Sequence, residues 1–131
     1  MVSSHHPLAQ GPAVSLRDYL ECAHIVVDVA DGRQGHVDRC LELLGSPRRA
    51  SVTVPYHAAA AAAVPGTSLM ATLPRSFAIR HASPGTTTVI PAPSEIGPIS
   101  CAMSWHPRLD DDAAQRWLRD TITTTTRVMS G

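Results

Sequence analysis

A few groupings of side chains in this 131-residue chain have the types and spacing to do chemistry. Cys22-x-His24 has the look of half a metal site, a thiolate beside an imidazole. Tetrahedral zinc needs four ligands, and no second pair stands at zinc spacing, so no metal is expected. His5-His6 lies in a stretch broken by Pro7, Gly11 and Pro12 and reads as part of a connecting segment. Cys101 and Ser104 near His106 invite a nucleophile-and-base reading, because a thiol or hydroxyl needs an adjacent base to attack. Alternation along a strand puts Cys101 and Ser104 on opposite faces, and no third group orients the histidine. Asp110-Asp111-Asp112 could pass for a metal cluster, but negative charge at a helix N-terminus explains it better. GxSxG, HExxH and phosphate-loop patterns are absent. The expectation is a protein with no catalytic residues, no metal and no cofactor.

The elements that would position these residues follow from local patterning. Ser15 precedes a short helix, Leu16 to Cys22, with Asp18 at its third position, close to a capping box. Ala23 to Val27 is a short β-branched run that reads as a buried parallel strand, and His24 within it as a satisfied core histidine. Asp28 to Arg33 is a loop. In the next helix, Gln34 to Leu44, the residues Val37, Cys40, Leu41 and Leu44 share one face. Its outer face carries Gln34, Asp38 and Glu42 and reads as solvated. Gly45 and Pro47 stop the helix. Strands Ala50–Val54 and Leu69–Leu73 flank a helix from His57 or Ala58 to Val64, which Pro65-Gly66 ends. Ser76 to His81 adds a helical turn. The order strand, helix, strand, helix, strand is that of an α/β unit on a parallel sheet.

Beyond residue 82 the chain changes character. Pro84, Pro91, Pro93 and Pro98 mark a linker or crossover. Ile99 to Trp105 alternates as a final strand. A helix from about Asp111 to Ile122 follows, with Trp117 and Leu118 expected in the core, and Thr123 to Gly131 reads as a frayed tail. Residues 1–15 read as a connecting segment. The expected division is 1–98 and 99–131.

Composition narrows the function classes. Hydrophobic residues make up 44% of the chain, enough for a core, whereas aromatics are 4%, so that core is mostly aliphatic and small. Eleven basic residues, all arginine, balance 11 acidic ones. Arg48-Arg49 is the single adjacent basic pair, which disfavours direct nucleic-acid binding. Three separated cysteines without a CxxC argue for reduced thiols in a cytoplasmic protein. No apolar run approaches the ~20 residues of a membrane span, and the first residues lack a signal-peptide core.

Several segments, in order, resemble the LysR-type transcriptional regulators of the nodulation and aromatic-degradation branch, from about His6 to Ile122. His6-Pro7-Leu8-Ala9 resembles the family's HPLA. Ser15 to Leu20 followed by His24 to Val27 resembles its short helix and entry strand. Val37-Asp38-Arg39-Cys40-Leu41 with Leu44-Gly45 resembles VDRxLxxLG. Val52 to Pro55 and Ala71 to Arg75 resemble VxxVP and ATLPR. Trp105 to Arg108, then Trp117 to Arg119, resemble the closing WHPR and RWLR.

The resemblance implies a type 2 periplasmic-binding-protein-like α/β fold with two hinged lobes and a small effector between them. Residues 1–98 would form the second lobe with its crossovers, and 99–131 a strand and helix returning to the first. The helix-turn-helix, its linker helix and most of the first lobe would lie outside this chain, so DNA would be contacted through them alone. The effector would be a small organic or aromatic acid. Ligands of open parallel sheets bind beyond the carboxyl ends of the strands. There stand Asp28, Arg33, Gln34, Pro55, Tyr56, His57 and Thr72, the candidate effector-binding residues. Helix 34–44 would join an antiparallel dimer of effector domains. Two alternatives remain open. One is a stand-alone fragment that pairs with intact regulators or has lost its function. The other is an unrelated small α/β binding protein or enzyme.

Overall fold

The computed structural model describes residues 1–11, 13–28, 35–100 and 102–130, with side chains up to residue 126. Two compact units are present, Met1–Ile99 and Ser100–Gly131.

In the first unit, β1 (Val2–Ser3) leads through a 3-10 turn, Pro7–Gln10, to α1 (Leu16–Glu21). The Ser15 hydroxyl caps α1, accepting from the Asp18 amide at 3.1 Å and donating to the Asp18 carboxylate at 2.7 Å. β2 (Ala23–Val27) follows, then α2 (His36–Leu43). Gly45, at φ 63°, ends α2. Its amide donates to Glu42 O at 2.8 Å and that of Ser46 to Leu41 O at 2.9 Å, a Schellman closure that a left-handed residue makes possible. β3 (Arg49–Val54), α3 (His57–Ala63), β4 (Leu69–Ala71), α4 (Arg75–His81) and β5 (Thr87–Thr88) complete the unit.

The main sheet has the order β3-β2-β4, all parallel, with a register shift between His24 and Ile25 in the β2–β3 pairing. Alternation along the strands gives the sheet two apolar faces. Ile25 and Ala71 pack with Ala60, Ala61 and Val64 of the α3 segment, and with Phe77 of α4. Met70 packs on the other side with Tyr19, Leu41 and Val14. Alanine fills α3, so bulk on the first face comes from the strands and from Val64 rather than from the helix.

The fold class is the expected one, α/β on a parallel sheet. Several local expectations are corrected. The segment read as a connector contains β1, which pairs antiparallel with β5 inside the stretch read as a crossover, Val2 opposite Thr88 and Ser3 opposite Thr87. Met1 extends this pairing to the main sheet: its nitrogen donates to Ala71 O at 2.8 Å, and the Ala71 amide returns a bond to Met1 O at 3.0 Å. Met1, Val2 and Ser3 are consequently buried.

The expected strand Ile99–Trp105 does not form among the described residues, and Ile99, Met103 and Trp105 are exposed. Alternation alone makes no strand; a ladder partner must satisfy its amides and carbonyls, and none is present among the described residues. Cys101 lies outside the described residues.

The second unit is built around α5 (Ala113–Ser130), which runs through the residues read as a frayed tail. Threonine hydroxyls at 121, 123, 125 and 126 each donate to the carbonyl four residues back, at 2.8–2.9 Å. Those bonds satisfy the hydroxyls inside the helix, where coil would leave them to water. The Asp112 carboxylate accepts from the Gln115 amide at 2.9 Å and caps the start. The Trp105 indole donates to Asp110 at 2.6 Å, and the Arg119 guanidinium lies 4.7 Å from the centre of the Trp105 ring. Trp117 and Leu118, expected in the core, are exposed, because one helix and one extended segment cannot enclose them. No helix among the described residues is long and apolar enough to cross a membrane.

Candidate functional site

The carboxyl ends of β2, β3 and β4 fall at Asp28, Pro55 and Thr72, and the structure places the candidate residues as follows. Asp28 continues past β2, its amide donating to Val54 O at 2.9 Å. Pro55 and Tyr56 are exposed at the end of β3. His57 opens α3 and is half-buried, its ring 5.6 Å from that of Phe77. Arg33 and Gln34 lie outside the described residues. Of the five candidates among the described residues, Thr72 lines the cavity beside β4.

That cavity, of about 490 Å³, opens beside the end of β4. Its walls are largely apolar: Val14, Met70, Leu73, Ile79, Ile90 and Ile96 contribute. Its polar side chains are Tyr19, Thr72 and Arg75, and no carboxylate lines it among the described residues. Size and composition match a small-molecule site, apolar with a few convergent polar groups. Tyr19 carries no signal of a site in the sequence beyond its place in a short capped helix. Ile90 and Ile96 come from the segment read as a crossover. Their apolar character between prolines was the one signal that this segment packs.

Behind the cavity wall lies a chain of polar side chains. The Thr72 and Tyr19 hydroxyl oxygens are 2.7 Å apart. The Arg48 guanidinium donates to the Tyr19 hydroxyl at 3.3 Å, and to both Asp38 carboxylate oxygens at 2.7 and 2.9 Å. The Arg48 side chain is 6% exposed and that of Asp38 30%. Asp38 is thus an ion-pair partner, not the solvated helix-face residue expected, since a buried guanidinium needs a planar acceptor. Burial opposes the charge on Arg48, but the Asp38 hydrogen bonds and the neighbouring charge outweigh it and hold the group above its ordinary range. Burial raises Tyr19, against the opposing pull of Arg48, so it stays a neutral hydroxyl.

His24, fully buried on β2, stands next to this chain, its ring 4.4 Å from that of Tyr19. Nε2 lies 2.8 Å from the Tyr19 carbonyl, which only accepts, so Nε2 carries the proton. Nδ1 has no hydrogen-bond partner, so the expectation of a satisfied core histidine holds at one nitrogen of two. Burial lowers its pKa from 6.5 to about 4. Among the described residues no group of three or more potential ligands could hold a metal. Cys22 donates to Asp18 O, and burial raises its thiol pKa, which is the behaviour of an inert thiol.

Comparison with known proteins bears on the family and the fold. The family described as LysR substrate binding domain matches residues 1–127. The chain is 34% identical over 119 residues to the HTH-type transcriptional activator NagR of Ralstonia, spanning 91% of this chain and 39% of that protein. It is 30% identical over 114 residues to the HTH-type transcriptional activator NahR of Pseudomonas putida, spanning 87% of this chain and 38% of that one. It therefore covers well under half the length of these curated relatives. Among solved structures, the regulatory domain of MexT, a transcriptional activator in Pseudomonas aeruginosa, superposes with a TM-score of 0.63 at 29% identity, over 88% of this chain and 57% of that one. A Vibrio parahaemolyticus structure assigned to the transcriptional regulators gives 0.70 at 26% identity, over 98% and 59%. The chain belongs to the LysR substrate-binding domain family of transcriptional regulators and carries its type 2 periplasmic-binding-protein-like fold.

Proposed function

We propose that this chain is the effector-sensing portion of a LysR-type DNA-binding regulator, taking a small organic or aromatic acid at the carboxyl end of its parallel sheet. The cavity of about 490 Å³ beside β4 carries this reading, because apolar walls with the polar side chains Tyr19, Thr72 and Arg75 suit an apolar body bearing an acceptor group. In the intact regulator a first lobe closes over this surface. The effector stabilises the closed arrangement and so shifts the population of two regulator states. DNA contact belongs to the helix-turn-helix of the whole regulator. The single basic doublet here does not form a phosphate-binding patch, since Arg48 is turned inward onto Asp38. The alternative reading is a fragment that pairs with an intact regulator through α2, on which Leu43 is 84% exposed. No catalytic step is assigned.

The test is thermal unfolding of the chain against a panel of small aromatic and aliphatic acids. A ligand at one hundred times its Kd stabilises the native state by about 2.7 kcal/mol, which raises Tm by several degrees. A panel in which no acid raises Tm, or in which Thr72→Val leaves every shift intact, would remove the cavity as the sensing site.

A further inference from the structure

The polar chain behind the cavity has a direction, and the direction can be read from which groups are able to donate. A guanidinium has N–H donors and no acceptor, so the Tyr19 oxygen accepts from Arg48. Either oxygen of the Tyr19–Thr72 pair, 2.7 Å apart, could donate, but with Arg48 on one side of the Tyr19 oxygen the arrangement that uses the Tyr19 proton has it pointing at Thr72. In that arrangement Tyr19 donates and Thr72 accepts. A threonine hydroxyl has one proton, and with Tyr19 donating to its oxygen that proton can serve a ligand in the cavity Thr72 lines. Asp38, holding Arg48 by two hydrogen bonds, keeps the guanidinium in the orientation that starts the series.

We propose that Arg48, acting through Tyr19, directs the Thr72 hydroxyl proton to the cavity, so that the site favours ligands presenting a carboxylate or similar acceptor over those presenting a donor. Thr72 is the residue that touches the ligand; Arg48 and Tyr19 are positioning residues. Arg75 at the same wall adds a second donor of the same polarity, and no lining carboxylate opposes it among the described residues. A ligand ammonium there meets the Arg75 charge and no lining carboxylate among the described residues, which leaves it without a counter-ion. This inference rests on the cavity being the effector site.

The experiment is NMR of the chain with labelled methyl groups, following Val14, Ile79, Ile90 and Ile96. The probes are benzoate, phenylacetate and cyclohexanecarboxylate, and the matched amines benzylamine, phenethylamine and cyclohexylmethylamine. The expected result is that acids shift the cavity methyls and amines do so at least tenfold more weakly. Thr72→Val weakens the acids about tenfold and leaves the amines unchanged. Tyr19→Phe retains Thr72 but frees its hydroxyl to turn, so the acid-over-amine ratio falls several-fold. A merely structural loss at Tyr19 weakens both series together, and that parallel loss overturns the relay. An acid preference that survives both substitutions also overturns it, while the cavity stands as a ligand site. If no probe shifts the cavity methyls, the cavity reading falls and the relay falls with it.

Discussion

Acidification should destabilise this protein through His24, and the size of the effect can be worked out from its surroundings. The imidazole is fully buried, donates from Nε2 to the Tyr19 carbonyl, and leaves Nδ1 without a partner. Protonating Nδ1 places a charge where there is no acceptor and where Arg48 and Arg49 repel it, with Asp38 as the compensating charge. Burial is the largest cause, and it lowers the pKa from 6.5 to about 4. The folded-state value lies below the unfolded one, so the unfolded chain takes up the proton first as pH falls. The stability His24 contributes is fully present above pH 6.5 and is lost as pH falls through about 4. Linkage then gives a loss of about 2 kcal/mol by about pH 5 and about 3 kcal/mol by about pH 4. Against a total stability of roughly 5–15 kcal/mol this is large. Urea unfolding at stepwise pH measures it, with His24→Gln as reference. Glutamine keeps an N–H for the Tyr19 carbonyl and does not titrate, so the variant should lose about 2 kcal/mol less between about pH 7 and pH 5. Equal losses in the two proteins would refute the assignment of this acid sensitivity to His24.

Breaking the Asp38–Arg48 pair should destabilise strongly: Arg48→Met strands a carboxylate that is 30% exposed, and urea unfolding should show a loss of about 3 kcal/mol. The double change Asp38→Leu with Arg48→Met should recover part of that, which a double-mutant cycle reads directly. Gly45→Ala should cost about 1 kcal/mol from backbone strain alone, since φ is 63° and nothing lies within 4 Å of an added Cβ. Ser15→Ala removes the α1 cap and should lower stability by about 1 kcal/mol in the same assay.

The elements legible in the sequence are those whose cause is local. β2 and β3 are runs of branched residues, α2 has a one-faced apolar pattern and a glycine stop, and each forms within a residue or two of its expected bounds. β1 and β5 were not legible, because each is two residues long and the pairing joins positions more than eighty residues apart. Ile99 to Trp105 shows the opposite failure: alternation was present, but a strand also needs a neighbour, and alternation says nothing of one. The threonine run of α5 has poor intrinsic helix propensity, so the hydroxyl bonds that continue the helix appear only in three dimensions. The site divides in the same way. Thr72 follows from its place at a strand end. Tyr19 enters through a helix that lies before the sheet in sequence, and Ile90 and Ile96 through a proline-rich return.

Helix α3 has a mechanical consequence. Six alanines in succession present no ridges, so the usual interlocking of side chains cannot index this helix along the sheet. Its position must be set from its ends. At the far end Val64 is fully buried, and the Thr67 hydroxyl donates to Val64 O at 2.8 Å while accepting the Leu69 amide at 3.2 Å, tying helix end to strand start. At the near end Pro55 and Tyr56 enter directly from β3. The helix body is a smooth rod held at two clamps, so a push on Tyr56 or His57 passes along it to Val64 and β4 with little side-chain rearrangement between.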